Sequence, residues 1–184
     1  FLAGIANGCF GTLGAVYGSQ NGMSPGAVAL MMSAAVLAGA LFQIPAGRIS
    51  DITDRRYVLA GAALGASFAG LLILVLRPQS AWLVFLLVSI YGALAYALYS
   101  VAVAHANDHA GIGDFVKLSG GLLLLYGIGT IIGPLVGSKA MTVFGPAGLF
   151  AVTAGAQALM AAYAILRSFR RAPVPIGLQT LFRP

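Results

Sequence analysis

The chain has 184 residues, of which 60% are apolar and only 8% charged, and its mean hydropathy is +0.96. Soluble domains run at about 45–50% and about 25% for those classes, so a soluble enzyme, a nucleic-acid-binding module and a disordered chain are excluded. The net charge of +6, ten Lys or Arg against four Asp, sits between long uncharged runs, where polytopic membrane proteins keep it.

A membrane helix needs about 20 apolar residues, at about 1.5 Å each across a core of about 30 Å. The uncharged runs are 1–47, 57–76, 78–107, 118–138 and 140–166. The first is too long for one crossing and divides at the turn formers from Gly18 to Pro25. Six helices are therefore expected, near 1–18, 24–46, 57–76, 80–104, 118–138 and 146–166. A basic, proline-containing tail over 167–184 reads as a poorly ordered end. The opening FLAGIANGCFG lacks a Met and starts inside an apolar run, as if cut from something longer. Six buried helices of a soluble protein are a poor alternative, because their outer faces would carry no charge.

The first helix places Gly4, Asn7, Gly11, Gly14 and Gly18 on one narrow face. The glycines read as a packing groove, and Asn7 reads either as a ligand contact or as a structural hydrogen bond. Cys9, the single cysteine, forms no internal disulfide and no multi-cysteine metal site. Between the second and third helices lies Gly47-Arg48-Ile49-Ser50-Asp51-Ile52-Thr53-Asp54-Arg55-Arg56. There Asp51 can cap a helix or accept from an arginine across an interface, and such a cluster either anchors a tight turn or holds one conformation of a moving bundle.

The fourth helix carries Ser89, Tyr91, Tyr96, Tyr99 and Ser100 within about half its circumference. Tyrosines pair an apolar ring with a polar tip, which suits a cavity for amphipathic solutes; the other reading, an aromatic belt, would need all of them at an interface. His105 and His109 follow, four apart beside Asp108, but Ala106 stands where a His-Glu-x-x-His carboxylate would be. Helix termination and gating contacts are the reading here, and no metal or cofactor site is assigned. In the fifth helix Gly129, Gly133 and Gly137 repeat every four residues, which permits close packing, and Pro134 removes a backbone donor. Tyr126 and Thr130, one turn apart, can face the same cavity as the tyrosines of the fourth helix. The third and sixth helices read as plain supporting elements of Ala, Leu and Gly.

If the helices alternate, Arg48, Arg55, Arg56, Lys117, Arg167, Arg170, Arg171 and Arg183 fall on one side, and only Arg77 and Lys139 on the other. The first side is then cytoplasmic, with both ends of the segment inside. All four acids, Asp51, Asp54, Asp108 and Asp114, lie in the loops of that side. No carboxylate is left in the membrane core, where a proton-coupled carrier usually keeps one.

The loop at Gly47, Asp51, Arg55 and Arg56 resembles the loop signature of the major facilitator superfamily of secondary transporters, with Leu59 at its following hydrophobic position. Ile52 and Asp54 depart from its basic and glycine positions, as the second, degraded copy of the signature does. The stretch Gly120, Gly129, Gly133-Pro134, Gly137-Ser138 is similar to the superfamily's antiporter signature, with Ser138 for a final glycine. That signature belongs to the amino-terminal half, so here it supports the fold more than antiport. The run from Ala104 to Gly129 also looks like the last cytoplasmic loop and eleventh helix of bacterial members.

The resemblance covers nearly the whole chain. It implies an all-α membrane protein whose six transmembrane helices form two inverted three-helix repeats, the carboxy-terminal half of a twelve-helix fold in a bacterial inner membrane. It further implies a conformational-switch loop at Gly47, Asp51, Arg55 and Arg56. The substrate-pathway candidates are Asn7, Tyr91, Tyr96, Tyr99, Tyr126 and Thr130, and Gly129, Gly133, Pro134 and Gly137 are packing positions. The expected partners are the lipid bilayer, the missing six-helix half or a second copy, and a small neutral or weakly polar solute moved by alternating access. A non-transporting scaffold or sensor is the competing reading; a membrane enzyme lacks any catalytic constellation.

Overall fold

The computed structural model describes residues 1–108 and 115–170. Among these, six helices follow one another: α1 (Leu2–Gln20), α2 (Pro25–Ile52), α3 (Arg55–Leu76), α4 (Ala81–Asn107), α5 (Phe115–Phe144) and α6 (Gly148–Arg170). Five of them, α2 to α6, are long and apolar enough to cross a membrane. The glycine-rich α1, with 19 residues, is packed between its neighbours.

The helix ends follow local chemistry. Ser24 Oγ accepts from the Ala27 N–H at 3.3 Å, and Pro25 occupies the first turn of α2, where its missing N–H costs nothing. Gly145 bends the chain between α5 and α6 with a φ of 80° that suits glycine. At the end of α3, Arg77 itself takes the left-handed conformation, φ 43°, which a side chain enters at a cost of about 1–2 kcal/mol.

Helix α2 runs beyond the predicted end at 46. At about 1.5 Å per residue its 28 residues span about 42 Å, more than the roughly 30 Å hydrocarbon core. Gly47 and Asp51, expected in a loop, are therefore helical, and only Thr53 and Asp54 separate α2 from α3. The charges there do not end the helix because they are paired along it and across to its neighbours.

The packing has a two-fold logic. Helix α1 lies along α5 and α6, while α4 lies along α2 and α3; α3 packs on α6. Exchanging α1 with α4, α2 with α5 and α3 with α6 maps this set of neighbours onto itself. Helices α2 and α5, which exchange, each contain one interior proline, Pro45 and Pro134. Because each repeat has three helices, an odd number, the second must enter from the opposite face, so the repeats are inverted.

Water does not drive helices together inside a bilayer; close van der Waals fit does. The α1–α5 and α2–α4 seams show how small residues allow it. A methyl group on Gly129 or Gly133 would strike the α1 backbone at Phe1 and Ile5, and one on Gly137 would strike Cys9 Sγ. From the other side, Gly4 and Gly8 leave no room for a methyl against the Tyr126 and Thr130 backbone. Gly92 does the same at Ala35 on α2. Two cores result. One gathers Phe10, Tyr17, Met31, Tyr91 and Phe150, with Tyr91 and Phe150 edge to face at 5.8 Å. The other, nearer the charged end, gathers Leu59, Ala63, Leu98 and Ala161.

Candidate functional site

The backbones of α1 and α5 approach so closely that polar side chains beside the seam meet. Asn7, 8% exposed, donates from Nδ2 to the Tyr126 hydroxyl at 3.2 Å. The Tyr126 ring in turn lies 4.5 Å from the Tyr99 ring, centroid to centroid, tilted by 50°. An amide on α1, a phenol on α5 and a phenol on α4 thus form one partly buried cluster. Thr130, one turn further along α5, bonds its own helix at Gly127 O, at 2.7 Å, and leaves its remaining oxygen valence to accept. Such a group can hold a solute by hydrogen bonds and ring contacts without a formal charge.

The other two tyrosines lie elsewhere. Tyr96 is half-buried at the α2–α4 seam, against the space above Gly39. Tyr91 is fully buried, its ring 5.0 Å from Phe10, so it is an interior residue of the bundle. Its hydroxyl has no hydrogen-bond partner among the described residues and faces Thr153 and Gln157. This corrects the reading of α6 as plain: Gln157 is fully buried, and neither end of its amide is paired among the described residues. One signal for it existed, since Gln157 is the single amide in the uncharged run 140–166.

At one end of the bundle the charges interlock. Arg55, only 1% exposed, contacts Asp108 at 2.9 Å through Nε and Asp51 at 3.3 Å through Nη2. It therefore joins the ends of α2, α3 and α4. Arg56 pairs with Asp54 at 2.8 Å and donates to the Arg167 carbonyl at 3.2 Å, which fastens α3 to the end of α6. Partial burial works against the Asp54 carboxylate. The Arg56 side chain and N–H, with His105 nearby, more than offset it and hold the carboxyl below its ordinary value. His109 and Asp114 lie outside the described residues.

An all-helical bundle of inverted three-helix repeats, with polar groups at the glycine seams and a charge lock at one end, is the architecture of half a membrane carrier. The profile of the Major Facilitator Superfamily matches residues 1–183, and the chain belongs to that family of integral membrane transporters. It is 27% identical over 176 residues to the uncharacterized MFS-type transporter YcaD of Salmonella arizonae, covering 96% of this chain and 44% of that protein. The YcaD proteins of Shigella flexneri and Escherichia coli are each 28% identical over the same length and shares. The chain thus spans less than half the length of the curated relatives it matches. No solved structure matches it.

Proposed function

We propose that this chain is the carboxy-terminal half of a secondary active transporter of a bacterial inner membrane. It rocks against a second six-helix bundle to carry a small neutral or weakly polar solute. The observation that carries the reading is the Asn7–Tyr126–Tyr99 cluster, three polar groups from three helices meeting beside two backbones in close contact. A polar amide inside a bilayer needs a partner, and here the partner is a tyrosine that can also turn to a ligand. The solute class follows from the cluster, which offers an amide and hydroxyls and no formal charge. Thr130, one turn from Tyr126, stands at its edge, while Tyr96 lies apart at the α2–α4 seam. The covered share of the relatives, 44%, favours a second bundle on the same chain over a second copy of this one.

In this reading the Arg55–Asp108–Asp51 lock, with Gly47 buried beside it and Arg56 held to α6, faces the cytoplasm. It holds one conformation of the bundle and is broken in the other. No step needs a cofactor or a metal.

The test is a comparison of small-molecule content in cells producing the full-length protein and its Asn7→Leu and Tyr126→Leu variants at equal membrane levels. A transporter changes the level of at least one solute, and both variants abolish that change. Solute profiles identical for wild type, variants and empty cells would favour a scaffold and end the proposal.

A further inference from the structure

At the bundle end opposite the charge lock, the ends of α1, α3 and α5 surround a cavity of about 200 Å³. It is lined by Tyr17, Asn21, Arg77, Gln79, Phe144 and the α5–α6 turn. That is below the roughly 300–1,000 Å³ of sites for drug-sized ligands. Arg77 dominates it electrically. One guanidinium nitrogen donates to the Phe144 carbonyl at 3.2 Å, which occupies one of five N–H donors. No carboxylate pairs with it among the described residues. Asn21 and Gln79 each spend one amide N–H on a backbone carbonyl, Tyr17 O at 2.7 Å and Arg77 O at 3.1 Å, and keep a second. Every side chain offered here is a donor or neutral.

Arg77 also holds its place against backbone preference. At φ 43° a glycine would sit without strain, yet the residue carries a long cationic side chain turned toward the cavity. The last turns of α3 and α5, the helices whose ends line the cavity, carry Val75, Leu76 and Val143 exposed. Trp82, 85% exposed, stands at the start of α4, as an aromatic at a membrane–water boundary does.

We propose that this cavity binds the phosphodiester of a membrane phospholipid, with Arg77 as the anion ligand and the acyl chains along the ends of α3 and α5. The shared chemistry is a phosphate oxygen anion. The exposed apolar side chains on the helix ends that line the cavity assign it to a lipid and not to free phosphate. The site is separate from the Asn7 cluster and does not depend on transport.

Native mass spectrometry of the full-length protein in detergent, titrated with phosphatidylglycerol, tests it. The expected result is one tightly held lipid in the wild type, held about tenfold more weakly by Arg77→Gln and Arg77→Gly. Lys139→Gln, which removes an exposed charge outside the cavity, leaves it unchanged. Arg77→Gly relaxes the left-handed backbone, so it keeps the comparison decisive should Arg77→Gln fold poorly. Millimolar inorganic phosphate should not displace the lipid. Equal retention by the Arg77 variants, equal loss in Lys139→Gln, or displacement by inorganic phosphate would each overturn the proposal.

Discussion

Asn7 and Tyr126 are 119 residues apart in the chain and 3.2 Å apart in the fold. Interhelical hydrogen bonds in membranes contribute about 0.6 kcal/mol on average. Asn7→Leu and Tyr126→Phe should therefore lower the melting temperature by no more than a few degrees. Their effect on solute movement should be far larger, a loss of about tenfold or more; melting and flux measured on the same preparations separate the two. Arg55 poses the opposite case, because a guanidinium at 1% exposure depends on its acids. Removing one partner of a buried pair costs about 3–5 kcal/mol, so Asp108→Asn should destabilise strongly. Replacing both, Arg55→Met with Asp108→Leu, should restore much of that stability in a denaturation series. For Asp54 the sign follows from its lowered carboxyl. A depressed folded-state value adds stability above the ordinary value of 3.8, and that stability is lost as pH falls through the folded value. The melting difference between wild type and Asp54→Asn should thus be constant near neutrality and vanish in acid. Asn7 and Tyr126 are conspicuous in the sequence as polar groups in apolar runs, but the pairing of Arg55 with Asp108 and the depth of Tyr91 are not. Those depend on contacts between residues tens of positions apart, which no local pattern encodes.

The helices are legible because a bilayer imposes a length and forbids charge, and the uncharged runs state both. The four-residue spacing of Gly129, Gly133 and Gly137 marks a flat face, though the spacing does not say which helix lies on it. The structure sets α1 there, with Ile5 and Cys9 against the glycines. Gly133→Ala should accordingly push α1 off α5 and destabilise by about 1–3 kcal/mol, the ordinary range for overpacking. Gly127→Ala, on the same helix with open space at its Cβ position, should be neutral or stabilising by up to about 1 kcal/mol. Equal melting temperatures for the two variants would contradict the seam. The end of α2 was less legible. The first charges predict an end near residue 46, whereas Asp51 and Arg55 satisfy one another around a two-residue break and let the helix run to Ile52. In α6, Gln157 does not stand out, because one amide among many alanines leaves the periodicity unchanged.

For the whole molecule, the inverted repeat explains why the same two solutions, glycine seams and interior prolines, occur twice. The outward faces of α2 and α5 are the least buried of the membrane-spanning helices, with Leu37, Leu41, Leu124 and Ile131 open. In the proposed reading a second bundle covers these faces, with the polar cluster between α1, α4 and α5 close to the junction. The claim that binds these observations is that this chain works as one half of a two-bundle carrier. Its most direct test is the mass of the native membrane protein, detected with an antibody against residues 167–184. The expected result is a single chain of roughly twice 18.7 kDa or more. A stable native product near 18.7 kDa would contradict it.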